Sequence, residues 1–293
     1  MYYLLLLILY PISLFPLRVL YVLSDFAFWV LFRLFGYRRK IVLDSLQHAF
    51  PEKSHGERRI IMQRFYRSFC DQWVETVKLL SIPLASLDKR VKGNWEVFEQ
   101  FAAKGKNVYA LLGHQFNWEW ANVATQMNCS SRFAGIFLPQ NARAVDRLLL
   151  RIRGRAGGML IPANDMRPYF SELKSKKHII GFMADQTPAV LRIADWYSFM
   201  NRPAPFFKGP EKQARRAQAA VVFVSIRKVK RGYYSVILHP VCDNAAVMPQ
   251  GFITGAYVKH LEQELRVQPE NWLWTHRRWK RSFSDVTGNE KPE

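Results

Sequence analysis

From residue 107 onward the chain alternates short apolar runs with helix-patterned stretches, and this alternation narrows the choice of fold more than any other feature. The runs fall at 108–112, 133–138, 159–161, 179–184, 220–226 and 233–238. They are too short for core helices and lack the polar alternation of half-solvated strands, so they read as strands covered on both faces. Strands of that kind separated by helices build a mostly parallel sheet flanked by helices. Lys230-Arg231-Gly232 joins the last two runs as a hairpin turn, which gives the α/β sheet an antiparallel edge. One such domain is expected over residues 38–284, with a frayed tail over 285–293.

Ahead of it, residues 1–17 carry no charge, and the apolar character continues to Leu34 with Arg18, Asp25 and Arg33 as interruptions. The reading is an N-terminal membrane helix or anchor over residues 1–37. Pro11 and Pro16 leave a tilted span, a re-entrant hairpin and an in-plane anchor all open. No basic stretch precedes the run and no small-residue cleavage site follows, unlike a secretory signal. Arg38, Arg39 and Lys40 come next, which places the remainder on the cytoplasmic side. Ser54 and Glu57 then form a capping box. Ile61, Phe65, Phe69, Trp73 and Val77 recur every fourth residue, so a long helix follows with its aromatic stripe in the core. Its opposite face carries Arg58, Arg59, Arg64 and Arg67, either solvated or resting on anionic headgroups.

The chemistry concentrates after the run at 108–112, where Gly113-His114-Gln115-Phe116-Asn117-Trp118-Glu119 places a histidine in the turn at a strand's carboxyl end. Open α/β sheets hold their reacting groups there. Asn117 is a plausible helix N-cap, which puts Glu119 in the first helical turn. Residues five apart in one unbroken helix cannot touch, but across the bend Glu119 can reach back to the imidazole, fix its tautomer and leave the other nitrogen to take a proton from a hydroxyl. A merely capped, structural histidine is the plain alternative. Downstream, Arg151-Ile152-Arg153-Gly154-Arg155 sets guanidinium forks among glycines, suited to phosphate or carboxylate or to a wet helix face. Ala184-Asp185-Gln186-Thr187-Pro188 ends another strand, where Asp185 could orient Arg155 or the substrate. Residues 205–210 read as an aromatic and basic loop before a helix, and Trp272 to Lys280 interleaves indoles with cations as at a membrane interface or a nucleic-acid stack.

With 43 Lys and Arg against 23 Asp and Glu the formal charge is +20, which points to an anionic partner: nucleic acid, an acidic membrane or a phosphorylated substrate. A hydrophobic share of 49% excludes a disordered chain. Cys70, Cys129 and Cys242 are scattered and odd in number, which suggests reduced thiols. No zinc spacing and no Gly-rich phosphate loop is present, so no metal or bound cofactor is expected.

Taken in order, the apolar start with Gly36-Tyr37-Arg38-Arg39-Lys40, the His114-x4-Glu119 box, Arg153-Gly154-Arg155, Ala184 to Pro188, Phe206-Phe207-x-Gly209 and Trp274 to Lys280 resemble the late acyltransferases of lipid A biosynthesis, within the lysophospholipid acyltransferase superfamily. The resemblance implies a glycerolipid acyltransferase-like fold. It also implies a membrane-bound enzyme on the cytoplasmic face of the inner membrane that moves an acyl chain from acyl carrier protein to a hydroxyl of a lipid A precursor. By the same resemblance His114 is the base and Glu119 its partner, while Arg153, Arg155, Asp185 and Gln186 hold the acceptor or complete the site. One departure stands out: where such enzymes commonly have Tyr-Arg-Pro or Tyr-Lys-Pro after the second strand, this chain has Leu138-Pro139-Gln140. Acylation of another lipid, a non-catalytic tether for anionic lipid and a nucleic-acid binder are the alternatives; the last explains neither the apolar N-terminus nor the histidine box.

Overall fold

The computed structural model describes residues 1–173 and 177–282. The described helices are α1 (Tyr2–Leu14), α2 (Leu17–Phe28, continued by a π-helical turn Trp29–Leu34), α3 (Arg39–Ala49), α4 (His55–Lys78), α5 (Leu84–Asp88), α6 (Glu96–Ala103), α7 (Trp118–Asn128), α8 (Arg143–Arg153), α9 (Arg167–Leu173), α10 (Gly209–Arg216) and α11 (Phe252–Val267). The strands are β1 (Val91–Gly93), β2 (Val108–Leu112), β3 (Arg132–Phe137), β4 (Met159–Pro162), β5 (His178–Met183), β6 (Ala194–Phe199), β7 (Arg202–Phe207), β8 (Ala220–Lys230) and β9 (Tyr233–Cys242). The tail at 285–293 lies outside the described residues.

The main sheet has the order β1-β9-β8-β2-β5-β3-β4. β8, β2, β5, β3 and β4 run parallel, while β9 is antiparallel to β8 and carries β1 parallel to itself. The antiparallel edge is therefore two strands wide. Both faces are covered, as continuous apolar runs require. Tyr109, Leu111, Ile180, Phe182, Val221 and Phe223 point into one core with α3, α4 and α11, whereas Val108, Ala110, Ile179, Val222 and Val224 point into the other with α6, α7 and α8.

The stretch read as an aromatic loop at 205–210 is in part β7, which pairs with β6 in a separate antiparallel hairpin. Pro203 and Pro205 hid it, since proline is tolerated only where no ladder hydrogen bond is needed, as on the edge strands of a two-stranded sheet. The α4 stripe is also only partly core. Ile61, Phe65 and Phe69 are buried, but Trp73 is 58% exposed. Steps of four residues drift by about 40° around a helix, and the far end of the row has turned away from the sheet. In its place Asp71, Gln72 and Glu75 face inward.

No single described helix is long and apolar enough to cross a membrane, so the expected N-terminal membrane helix is not seen as one span. The chain bends by 116° between α1 and α2, and only the bent pair has the length and composition of a span. Pro16 sits at the break, where proline disfavours helix in the residue before it. Tyr3, Leu7, Val22, Phe26 and Phe35 point outward, while α2 is held to α4 by Ser24 donating to Asp71 (2.7 Å) and Tyr21 donating to Glu75 (2.8 Å).

Candidate active site

Neighbouring strands β2 and β5 end together, with Leu112 opposite Met183 and the Ala184 N–H donating to the Leu112 carbonyl at 3.1 Å. Two residues beyond each strand end, His114 and Asp185 meet across 71 positions of sequence. The imidazole Nδ1 lies 2.6 Å from Asp185 Oδ1, and the backbone N–H of His114 donates to Asp185 Oδ2 at 2.7 Å. The indole N–H of Trp272 donates to the same Oδ2 at 2.6 Å. Gly113 makes this approach possible, since a Cβ there would lie 3.2 Å from Asp185 Oδ2 and 2.9 Å from Leu261.

Burial by itself would raise the Asp185 carboxyl; the facing imidazole and the donors from His114 and Trp272 outweigh it and hold the group at about 2. The carboxylate therefore stays ionised and can only accept, so the Nδ1 N–H of His114 donates to it and Nε2 is the ring nitrogen turned away from Asp185. The Gln186 amide nitrogen stands 3.1 Å from Nε2, and Trp118 packs edge-on against the ring at 5.2 Å between centroids. The His114 side chain is 16% exposed.

Glu119 is not the hydrogen-bond partner of His114. Its carboxylate is gripped by Arg153, with Nη2 to Oε1 at 2.6 Å and Nε to Oε2 at 2.9 Å, and it accepts the Trp118 indole N–H at 3.0 Å. The helix does start at the Asn117 cap, which accepts from the Glu119 and Trp120 amides, but the first turn of α7 directs Glu119 toward α8 instead of back to the strand end. Asn117 is itself fixed by donating to the buried Glu75 at 2.7 Å, an acceptor for Tyr21 and Tyr234 as well.

The other expected substrate contacts are redistributed too. Asp185 is 1% exposed, and both of its oxygens are engaged by His114 and Trp272. Arg153 is taken by Glu119. Arg155 donates to the Leu79 carbonyl and, at 2.7 Å, to the Ile82 carbonyl, just past the end of α4. Carbonyls beyond a helix C-terminus lack amide partners and attract a cation. Gln186 alone of this group faces the open nitrogen of His114. Nor are the nearby amides free for an oxyanion: those of His114, Gln115 and Phe116 donate to Asp185, Gly113 and Asn271.

The tryptophan strip, which reads as an interfacial surface, is core. Trp272, Trp274 and Arg278 are at most 1% exposed, and Arg278 donates to the Pro205 carbonyl (2.7 Å) while lying 4.2 Å over the Phe206 ring. Trp272 is the site residue that sequence reasoning missed. The available signal was chemical: a buried indole N–H usually finds an acceptor.

His276 in the same strip accepts the Thr187 N–H at 3.1 Å, and burial lowers its pKa to about 4, with Arg278 adding to the effect against the pull of Asp185. Unfolded, a histidine takes up its proton near pH 6.5, so between about 6.5 and 4 the unfolded chain binds more protons and stability falls as the pH is lowered. His260, also lowered to about 4, acts in the same direction. Thermal melting across this window is expected to show a decline that His276→Gln makes shallower; an unchanged slope would contradict the assignment.

A model of the bacterial lipid A biosynthesis acyltransferase family matches residues 1–281. A lipid A biosynthesis palmitoleoyltransferase of Escherichia coli (strain K12) is 24% identical over 258 residues, covering 83% of this chain and 79% of the relative. A lipid A biosynthesis acyltransferase of Shigella flexneri matches with the same identity and coverage.

Proposed function

Because this chain belongs to the bacterial lipid A biosynthesis acyltransferase family, we propose that it transfers a fatty acyl chain from the thioester of acyl carrier protein to a hydroxyl of a lipid A precursor, with His114 as general base. The observation that carries this reading is the His114 to Asp185 hydrogen bond at the carboxyl edge of the sheet, which leaves Nε2 as the proton acceptor. The acceptor hydroxyl takes the place of the Gln186 amide at Nε2 and gives up its proton as its oxygen attacks the thioester carbonyl. A carbon–oxygen bond forms, the carbonyl becomes an oxyanion, and the Gln186 N–H stands beside it as a donor. Collapse breaks the carbon–sulfur bond, and the proton held on Nε2 passes to the departing thiolate. The products are the ester and free carrier thiol. The scheme needs no metal or cofactor beyond the acyl carrier protein thioester.

In this reading Glu119 is a positioning residue: through its bond to the Trp118 indole it holds the ring that backs His114. The outward apolar faces of α1 and α2 lie in the cytoplasmic leaflet of the inner membrane, bringing the sheet edge to the lipid. His114→Ala, assayed with labelled acyl carrier protein thioester and lipid acceptor, is expected to lower turnover by about 10²–10⁴-fold with folding and vesicle association retained. Undiminished ester formation would refute the base. Because Arg153 and Arg155 are engaged within the protein, a second reading is a different lipid hydroxyl as acceptor. Mass spectrometry of lipids from cells with and without the protein separates the two.

A further inference from the structure

With Arg153 and Arg155 bound to the protein's own oxygens, the cations left to meet a phosphate lie elsewhere. A cavity of about 520 Å³ opens among α2, α4 and the end of β8, lined by Arg64, Arg67, Lys228 and Arg231 together with Asp25, Asp71 and Glu270. Its floor is already neutralised. Asp71, whose side chain is 2% exposed, is bonded to Lys228 at 3.1 Å and Arg231 at 2.7 Å, and Arg231 also reaches Asp25 at 2.8 Å. Arg64 and Arg67 have no carboxylate partner among the described residues, and Arg67 lies 5.2 Å over the Phe28 ring with its guanidinium edge free.

The cavity borders an apolar part of the surface. Val22, Phe26 and Trp29, on the helix that supplies Asp25 and Phe28, are 68%, 65% and 52% exposed. Two free guanidinium forks beside an apolar strip match a phosphate joined to acyl chains. The reaction centre lies beyond one layer of residues, since Asn271 lines the cavity and accepts the N–H of Phe116, two positions after His114.

We propose that this cavity is a phosphate-binding subsite for a lipid headgroup, apart from the reaction centre at His114, with Arg64 and Arg67 as its ligands and α2 as the bed for the chains. The phosphate can belong to the acceptor, which rests on the acyl-transfer reading, or to a bystander phospholipid, which does not. The test uses the full chain and Arg64→Ala/Arg67→Ala, with Arg59→Ala/Arg216→Ala as a control of equal charge change at exposed positions outside the cavity. Binding to phosphatidylglycerol-containing vesicles is measured against phosphatidylcholine vesicles, and KM for a phosphorylated lipid acceptor is measured in neutral detergent micelles. The cavity variant is expected to lose about tenfold beyond the control in at least one of the two. A raised acceptor KM with kcat retained assigns the phosphate to the acceptor; weakened phosphatidylglycerol binding with KM unchanged assigns it to a bystander lipid. Equality with the control in both measurements would overturn the subsite. His114→Ala keeps the vesicle result in either case, so a failure of the base assignment stays separate from a failure here.

Discussion

Asp185→Asn is expected to lower the acyl-transfer rate by about 10²–10⁴-fold, the range lost when a general base is disabled, with the fold retained. The carboxylate only accepts, and it accepts from three N–H groups: Trp272, the His114 backbone and His114 Nδ1. Asparagine keeps one accepting oxygen. With that oxygen turned to Trp272 and the His114 backbone, the new amide donates to Nδ1 and drives the imidazole proton onto Nε2. The nitrogen that should take a proton would then already hold one. Circular dichroism and thermal melting report whether the protein is folded, and single-turnover assays with acyl carrier protein thioester report the chemistry. A folded Asp185→Asn protein with near-normal turnover would show that His114 does not act through this tautomer.

The largest expected loss of stability lies a helical turn away. Glu119 and Arg153 form a pair with side-chain exposures of 5% and 19%, and the bidentate grip pulls the Arg153 pKa up against the burial that would lower it. Removing one partner strands a buried charge, so Glu119→Ala is expected to cost about 3–5 kcal/mol in unfolding experiments. Removing both charges should cost less than the sum of the single changes, because no unpaired ion remains. Activity is expected to fall with Glu119→Ala as well, since Trp118 loses its acceptor and the edge it presents to His114. A Glu119→Ala protein as stable as the parent but inactive would instead place this carboxylate in the chemistry itself.

Much of the architecture is legible from local pattern. The six apolar runs all become strands, the first of them with the same bounds at Val108–Leu112, because strand formation by a run covered on both faces depends on few neighbours beyond the run. The Ser54 and Glu57 capping box and the Asn117 cap are equally local and equally present. The two-residue turn at Met200 and Asn201, both with positive φ, is not legible from the sequence, because neither residue is glycine and two prolines follow. Trp73 misleads because a repeat of four is not quite the period of a helix.

The partner of the histidine was not legible at all. Glu119 stands close in sequence and Asp185 stands 71 positions away, yet only Asp185 is on the neighbouring strand. Strand order is a property of how whole faces pack, and nothing within the run at 108–112 names which other run will lie beside it. The same holds for Arg153 and Arg155, whose forks suit a phosphate but meet first a carboxylate and a helix end.

Local chemistry thus determined the strands, the helix starts, the apolar N-terminus and the histidine at a strand end, since each follows from side chains within a turn or two of one another. Tertiary packing alone decided which carboxylate orients the imidazole, which guanidinium groups remain free for a ligand and which tryptophans are buried. Those outcomes follow from long-range burial, where a charge or polar N–H that enters the interior costs free energy unless packing brings it a partner.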